Sequence, residues 1–98
     1  MFVHAVYFWL DRTLTRADEE RFRQRLEELG RIPSVKQCFV GRPAATNRPI
    51  IDRTYSFALT LVFETAADQD AYQVDPAHLK FVEDCAHLWI RVYICDSE

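Results

Sequence analysis

The chain has 98 residues, 49% of them hydrophobic and 28% charged, with a formal net charge of −3 at pH 7. That suffices for one modest core, and the acidic balance argues against a nucleic-acid protein, which needs a basic face. No stretch approaches the roughly 20 apolar residues of a membrane span, and Met1-Phe2-Val3-His4 lacks the basic start of a signal peptide. The expectation is therefore one domain over residues 1–98, cytoplasmic, with no linker or repeat. Cys38, Cys85 and Cys95 are odd in number, match no metal or redox spacing and sit in apolar patterns, so they read as reduced core thiols.

Phe2 to Leu10 is rich in aromatic and β-branched residues and predicts a strand, ended by Asp11-Arg12. Thr15 opens a helix, with Asp18 three residues on in a capping-box arrangement. Phe22, Leu26 and Leu29 form its apolar face, Gly30 is placed for its C-terminal cap, and Pro33 prevents continuation. Val35 to Gly41 predicts a second strand near a sheet edge. Arg42 to Arg53 carries Pro43 and Pro49 and cannot be a central strand. It is too long for a tight turn, and its apolar pair Ile50-Ile51 predicts packing against a partner or a barrel end. Thr54 to Glu64 predicts a third strand. Thr65 opens a helix to about Gln73, Pro76 to Cys85 forms its second half with His78, Phe81, Val82 and Cys85 inward, and Leu88 to Cys95 closes as a strand. The order is strand, helix, strand, strand, helix, strand. That is an α+β, ferredoxin-like β-α-β-β-α-β protomer: an antiparallel sheet with both helices on one face.

Alternation carries the next step. In the first strand Phe2, His4, Val6 and Phe8 share one face, and Val3, Ala5, Tyr7 and Trp9 the other. In the third, Tyr55, Phe57, Leu59, Leu61 and Phe63 oppose Thr54, Ser56, Ala58, Thr60 and Val62. A half-exposed sheet has one polar face, and neither face here is polar enough to stay wet. The bulkier set is expected under the helices. The other, with Tyr7 and Trp9, is expected against a second copy in a homodimer related by a two-fold axis.

Tyr72-Gln73-Val74-Asp75-Pro76-Ala77-His78 is the chemically suggestive run. Asp75 and Pro76 suit the N-cap and first position of a restarted helix, which puts His78 in its first turn. There the helix dipole favours a neutral imidazole while Asp75 favours the cation, so the sequence leaves the net shift open. A histidine near a tyrosine can hold or move a proton, or simply cap and pack. His87 reads as an exposed loop residue. His4, Asp75 and His78 have no recognised metal spacing.

Val3-His4-Ala5-Val6-Tyr7-Phe8-Trp9-Leu10, the loop Val40-Gly41-Arg42-Pro43-Ala44 with Arg48-Pro49-Ile50-Ile51-Asp52, and Tyr72 to His78 together resemble the stress-responsive dimeric α/β-barrel (Dabb) family over essentially the whole chain. The resemblance implies a homodimer whose two sheets form a dimeric α/β barrel. One branch, the plant polyketide cyclases that make olivetolic acid by a cofactor-free aldol reaction, is similar in its Tyr-x-x-His-Pro-x-His motif. Its tyrosine and second histidine fall on Tyr72 and His78, and its first-strand histidine on His4. Two positions depart: the first histidine of the motif is Asp75 here, and a third-strand pocket histidine falls on Phe57. On this resemblance His4, Phe57, Leu59, Tyr72, His78, Phe81 and Trp89 are expected to line an apolar cavity for a small apolar or aromatic ligand, without cofactor or metal. His78 and Tyr72 are the candidate catalytic pair on a polyketide-like or aromatic carbonyl substrate. A non-catalytic ligand-binding or stress-associated scaffold, and a cofactor-free monooxygenase of the same fold, are the alternatives.

Overall fold

A computed structural model describes all residues, Met1–Glu98. The elements are β1 (Phe2–Leu10), α1 (Arg16–Leu29), β2 (Gln37–Gly41), β3 (Phe57–Phe63), α2 (Ala66–Val74), α3 (Pro76–Cys85), a single 3₁₀ turn (Ala86–Leu88) and β4 (Trp89–Ser97). The strands form one antiparallel sheet in the order β2-β3-β1-β4. The fold is thus ferredoxin-like, and the helix-facing residues of β1 and β3 are the buried ones. His4, Val6, Phe8 and Leu10 alternate with half-buried neighbours, as do Phe57, Leu59, Leu61 and Phe63. Tyr55, expected on the same face, instead lies before β3 begins and packs against Tyr7 and Trp9 on the open face.

Local chemistry explains the boundaries. Thr15 and Asp18 close a reciprocal capping box at the start of α1, which satisfies two otherwise orphaned amide donors. Gly30 ends α1 in right-handed backbone, φ −66°, so freedom of φ is not its reason. A Cβ there would stand 2.5 Å from Cys38 Cβ, so glycine lets β2 run close beneath the helix end. β2 starts at Gln37 rather than Val35, because Val35 N–H is spent on Ile32 O in a turn. β3 starts at Phe57 rather than Thr54, because the Asp52 carboxylate takes both the N–H and the hydroxyl of Thr54, holding that stretch as a turn.

The core lies between the sheet and the helices. Phe22 sits over Phe8 and Phe57 at ring distances of 5.2 and 5.8 Å, and Leu26, Phe81 and Cys85 complete the layer. Each such side chain contributes about 1.5–3 kcal/mol over leaving it in water. Only Cys85 of the three thiols belongs to this core; Cys38 and Cys95 are exposed. Both lie on edge strands, so an apolar pattern there did not imply burial. Val82, expected inward, lines a cavity beside His78 and Phe81 but stays 39% exposed at its rim.

Candidate functional site

The second helix of the ferredoxin pattern is broken in two. Asp75 accepts the Ala77 N–H at 2.8 Å and opens α3, with Pro76 in its first turn. The same residue closes α2 through its own N–H to Tyr72 O. The break brings Tyr72, from the last turn of α2, and His78, from the first turn of α3, together with ring centroids 4.6 Å apart and ring planes tilted by 46°.

His78 Nδ1 lies 3.0 Å from Gln73 O. A carbonyl only accepts, so Nδ1 carries the proton and, in the neutral ring, Nε2 holds the free lone pair. Burial lowers the pKa of His78 from its ordinary value, and a charge on the nearby His4 would push the same way. The Gln73 carbonyl and Asp75 act in the opposite sense without cancelling the fall. The uncertainty that the sequence left over this residue resolves in favour of the neutral base. Burial pushes the Tyr72 phenol far above its ordinary value. It therefore stays protonated, so its hydroxyl has a proton to donate.

His4 is also buried, at the centre of the sheet on β1. Its ring stands 6.0 Å from that of Tyr72. Its Nδ1 meets Asp96 Oδ1 at 2.5 Å, across the register pair that joins β1 and β4.

These three polar side chains share an apolar cavity of about 210 Å³ with Leu59, Phe81, Trp89, Val92 and Ile94 among its walls. Apolar walls with a few convergent polar groups are the usual lining of a small-molecule site, and this volume, below the usual range of about 300–1,000 Å³, restricts any occupant to a small one. Trp89 reaches it through a register shift. The pairing of Trp9 with Arg91 is followed by Leu10 with Trp89, so Ile90 is left over as an extra residue. The bulge flips Trp89 from the face of Arg91 to the helix side, where it lies 5.1 Å from Phe8 and 5.9 Å from Phe81.

Phe57, expected in the wall, does not line this cavity. It sits opposite Phe8 in the register, wholly buried under Phe22, with the Arg42 guanidinium 4.4 Å over its ring. The cavity runs between α3 and β4 from His4 past Val6 to Phe8 and Trp89, and Phe57 is turned from it under α1. Asp96, Val92 and Ile94 were missed from sequence. The signal was the same-parity run Val92, Ile94, Asp96, which alternation places beside Phe8, Val6 and His4.

A second concavity of about 380 Å³ lies between α1 and α3. It is lined by charges that largely neutralise one another: Arg25 bridges Asp84 at 3.1 Å, and Arg21 pairs with Asp18. His87 is exposed at its rim. No three His, Cys, Asp or Glu side chains stand together as a metal-binding group, and no helix is long and apolar enough to cross a membrane.

Solved structures share the whole fold. A Dabb family protein with a ferredoxin-like fold from Mesorhizobium loti superposes with a TM-score of 0.83 at 25% identity, over 99% of this chain and 94% of that one. A dimeric ferredoxin-like protein of unknown function from Thermobifida fusca gives 0.79 at 21% identity, over 98% and 88%. Hydroxynitrile lyase from Passiflora edulis gives 0.82 at 17% identity, over 98% and 90%. No curated protein matches the chain. Residues 2–98 match the model of the stress responsive A/B barrel domain, and the chain belongs to that family, Dabb.

Proposed function

We propose that this protein is a homodimer that performs cofactor-free acid–base chemistry on a small apolar or aromatic carbonyl compound in the cavity between α3 and β4. The observation that carries this reading is the pairing of a neutral His78 with a protonated Tyr72 inside an apolar wall. In this reading His78 Nε2 removes a proton from the carbon next to a carbonyl. The Tyr72 hydroxyl donates to the oxygen as negative charge builds on it. Aldol cyclisation of a polyketide is one reaction of this type. The Tyr72 and His78 positions agree with that branch, whereas Asp75 serves here as a helix cap and Phe57 as core. The same architecture carries a lyase in Passiflora edulis, which supports the fold as a frame for such chemistry.

The homodimer rests on the open sheet face. Tyr7 and Trp9 meet Tyr55 there at ring distances of 5.1 and 6.4 Å, and Phe39 and Tyr93 stand exposed. A second copy covers such a patch without leaving further open contacts, and the Thermobifida fusca neighbour is dimeric.

The test is hydrogen–deuterium exchange at the benzylic carbon of phenylacetone in D₂O. Wild-type protein is expected to accelerate it by about 10²–10⁴-fold, the usual reach of a positioned acid–base group. His78→Ala returns it to background with fold and dimer intact, and Tyr72→Phe slows it. Saturable phenylacetone binding with background exchange would leave a ligand-binding protein and refute catalysis.

A further inference from the structure

A buried imidazole needs partners for two nitrogens. His4 is 4% exposed, and only its Nδ1 is committed, to Asp96. An ionised carboxylate accepts and cannot donate, so the proton sits on Nδ1 and Nε2 keeps its lone pair in the neutral ring. The pairing is built into the sheet: His4 and Asp96 are opposite each other in the β1–β4 register and on the helix-facing side. Asp96 lies on an edge strand with its side chain 43% exposed. The carboxylate thus stays wet while the imidazole it holds is dry. That avoids the full cost of burying an ion. The ring of His4 flanks Tyr72 from the sheet at 6.0 Å, and that of His78 flanks it from α3 at 4.6 Å.

We propose that Asp96 is a positioning residue that fixes the tautomer and orientation of His4, making His4 a second proton-handling imidazole of this cavity beside Tyr72. The inference rests on the acid–base reading above and extends it: the site has one phenol donor between two imidazoles. A carboxylate that holds one ring nitrogen also settles which nitrogen remains for chemistry. His4 Nε2 is then available to take a proton that His78 does not reach, or to return one from the opposite side.

The experiment is nitrogen-15 NMR of the imidazoles in the full-length protein, for wild type, Asp96→Asn and Asp96→Ala. Wild type is expected to show His4 as the Nδ1–H tautomer with a slowly exchanging ring proton. Asp96→Asn keeps an acceptor at that distance and retains both features. Asp96→Ala loses the protected proton and mixes the tautomers, and phenylacetone exchange slows in Asp96→Ala and recovers in Asp96→Asn. His4→Gln raises the titration midpoint of His78, because His4 opposes charge there. A carboxylate that only braced the sheet would change melting without moving tautomer or titration. Protonation of His4 on Nε2 in wild type, or an unchanged tautomer in Asp96→Ala, would overturn the inference. Background phenylacetone exchange in wild type, with the tautomers as expected, would instead overturn the enolisation reading and with it the chemical role given to His4.

Discussion

Asp75 joins the stability of the helix break to the chemistry of the site, and its two roles separate in two substitutions. Its carboxylate accepts the Ala77 N–H at 2.8 Å, the only side-chain cap of α3. Asp75→Ala removes that acceptor, which costs about 1 kcal/mol and lowers the melting temperature of a domain this size by about 4–8 °C. Asp75→Asn keeps an equally good cap and is expected to melt within about 2 °C of wild type. The charge acts elsewhere. Asp75 raises the proton affinity of His78 against the larger effect of burial, so both substitutions are expected to move the His78 midpoint further down. Calorimetry gives the first quantity and an NMR titration of the His78 ring the second. If Asp75→Asn lost as much stability as Asp75→Ala, or if the His78 midpoint rose in either, the assignment of Asp75 as cap and local charge would be wrong.

Other outcomes follow from the same geometry. Gly30→Ala places a methyl against Cys38 Cβ and Sγ at 2.5 and 2.7 Å; it is expected to destabilise by about 1–3 kcal/mol, with partial recovery in the double variant Gly30→Ala, Cys38→Gly, measured by thermal melting. Trp9→Glu is expected to give a monomer or an insoluble chain in sedimentation, since an unpaired charge in a dry interface costs several kcal/mol. The pH dependence of stability has a definite sign at His78. Its folded pKa lies below the ordinary 6.5, so as pH falls through that value the unfolded chain takes the proton first and the folded state loses stability. His78→Gln is expected to flatten the stability curve between about pH 7 and about pH 5.5, above the range where carboxylates titrate.

Much of the fold was legible because period and caps agree. The helix-facing residues of β1, and of β3 from Phe57 on, were readable from alternation, but Tyr55 precedes the regular strand and packs on the open face. Thr15, Asp18, Asp75 and Pro76 marked helix starts by their hydrogen-bonding chemistry. What failed was long-range. Phe57 is covered by Phe22 of α1 instead of facing the cavity that its register partner Phe8 lines, and its own strand does not encode which helix lies above it. Trp89 faces inward because of a bulge whose parity change no local pattern announces. Cys38 and Cys95 looked like core because edge strands carry the same apolar alternation as central ones. Asp96, near the C-terminus, carries no local signal; it acquires meaning only from the register that sets it opposite His4. The direction of the His78 shift needed the burial of its ring, which outweighs the nearby carboxylate that the sequence does show.

The measurement that tests the central claim most directly is the position of bound phenylacetone on the full-length protein, read from amide and side-chain shift changes during a titration. The account expects saturable changes centred on His4, Tyr72, His78, Trp89 and Val92, around the cavity between α3 and β4. Changes centred instead on Arg21, Arg25, Asp84 and His87, in the larger charged groove between α1 and α3, would contradict it. So would a spectrum that does not change at saturating probe.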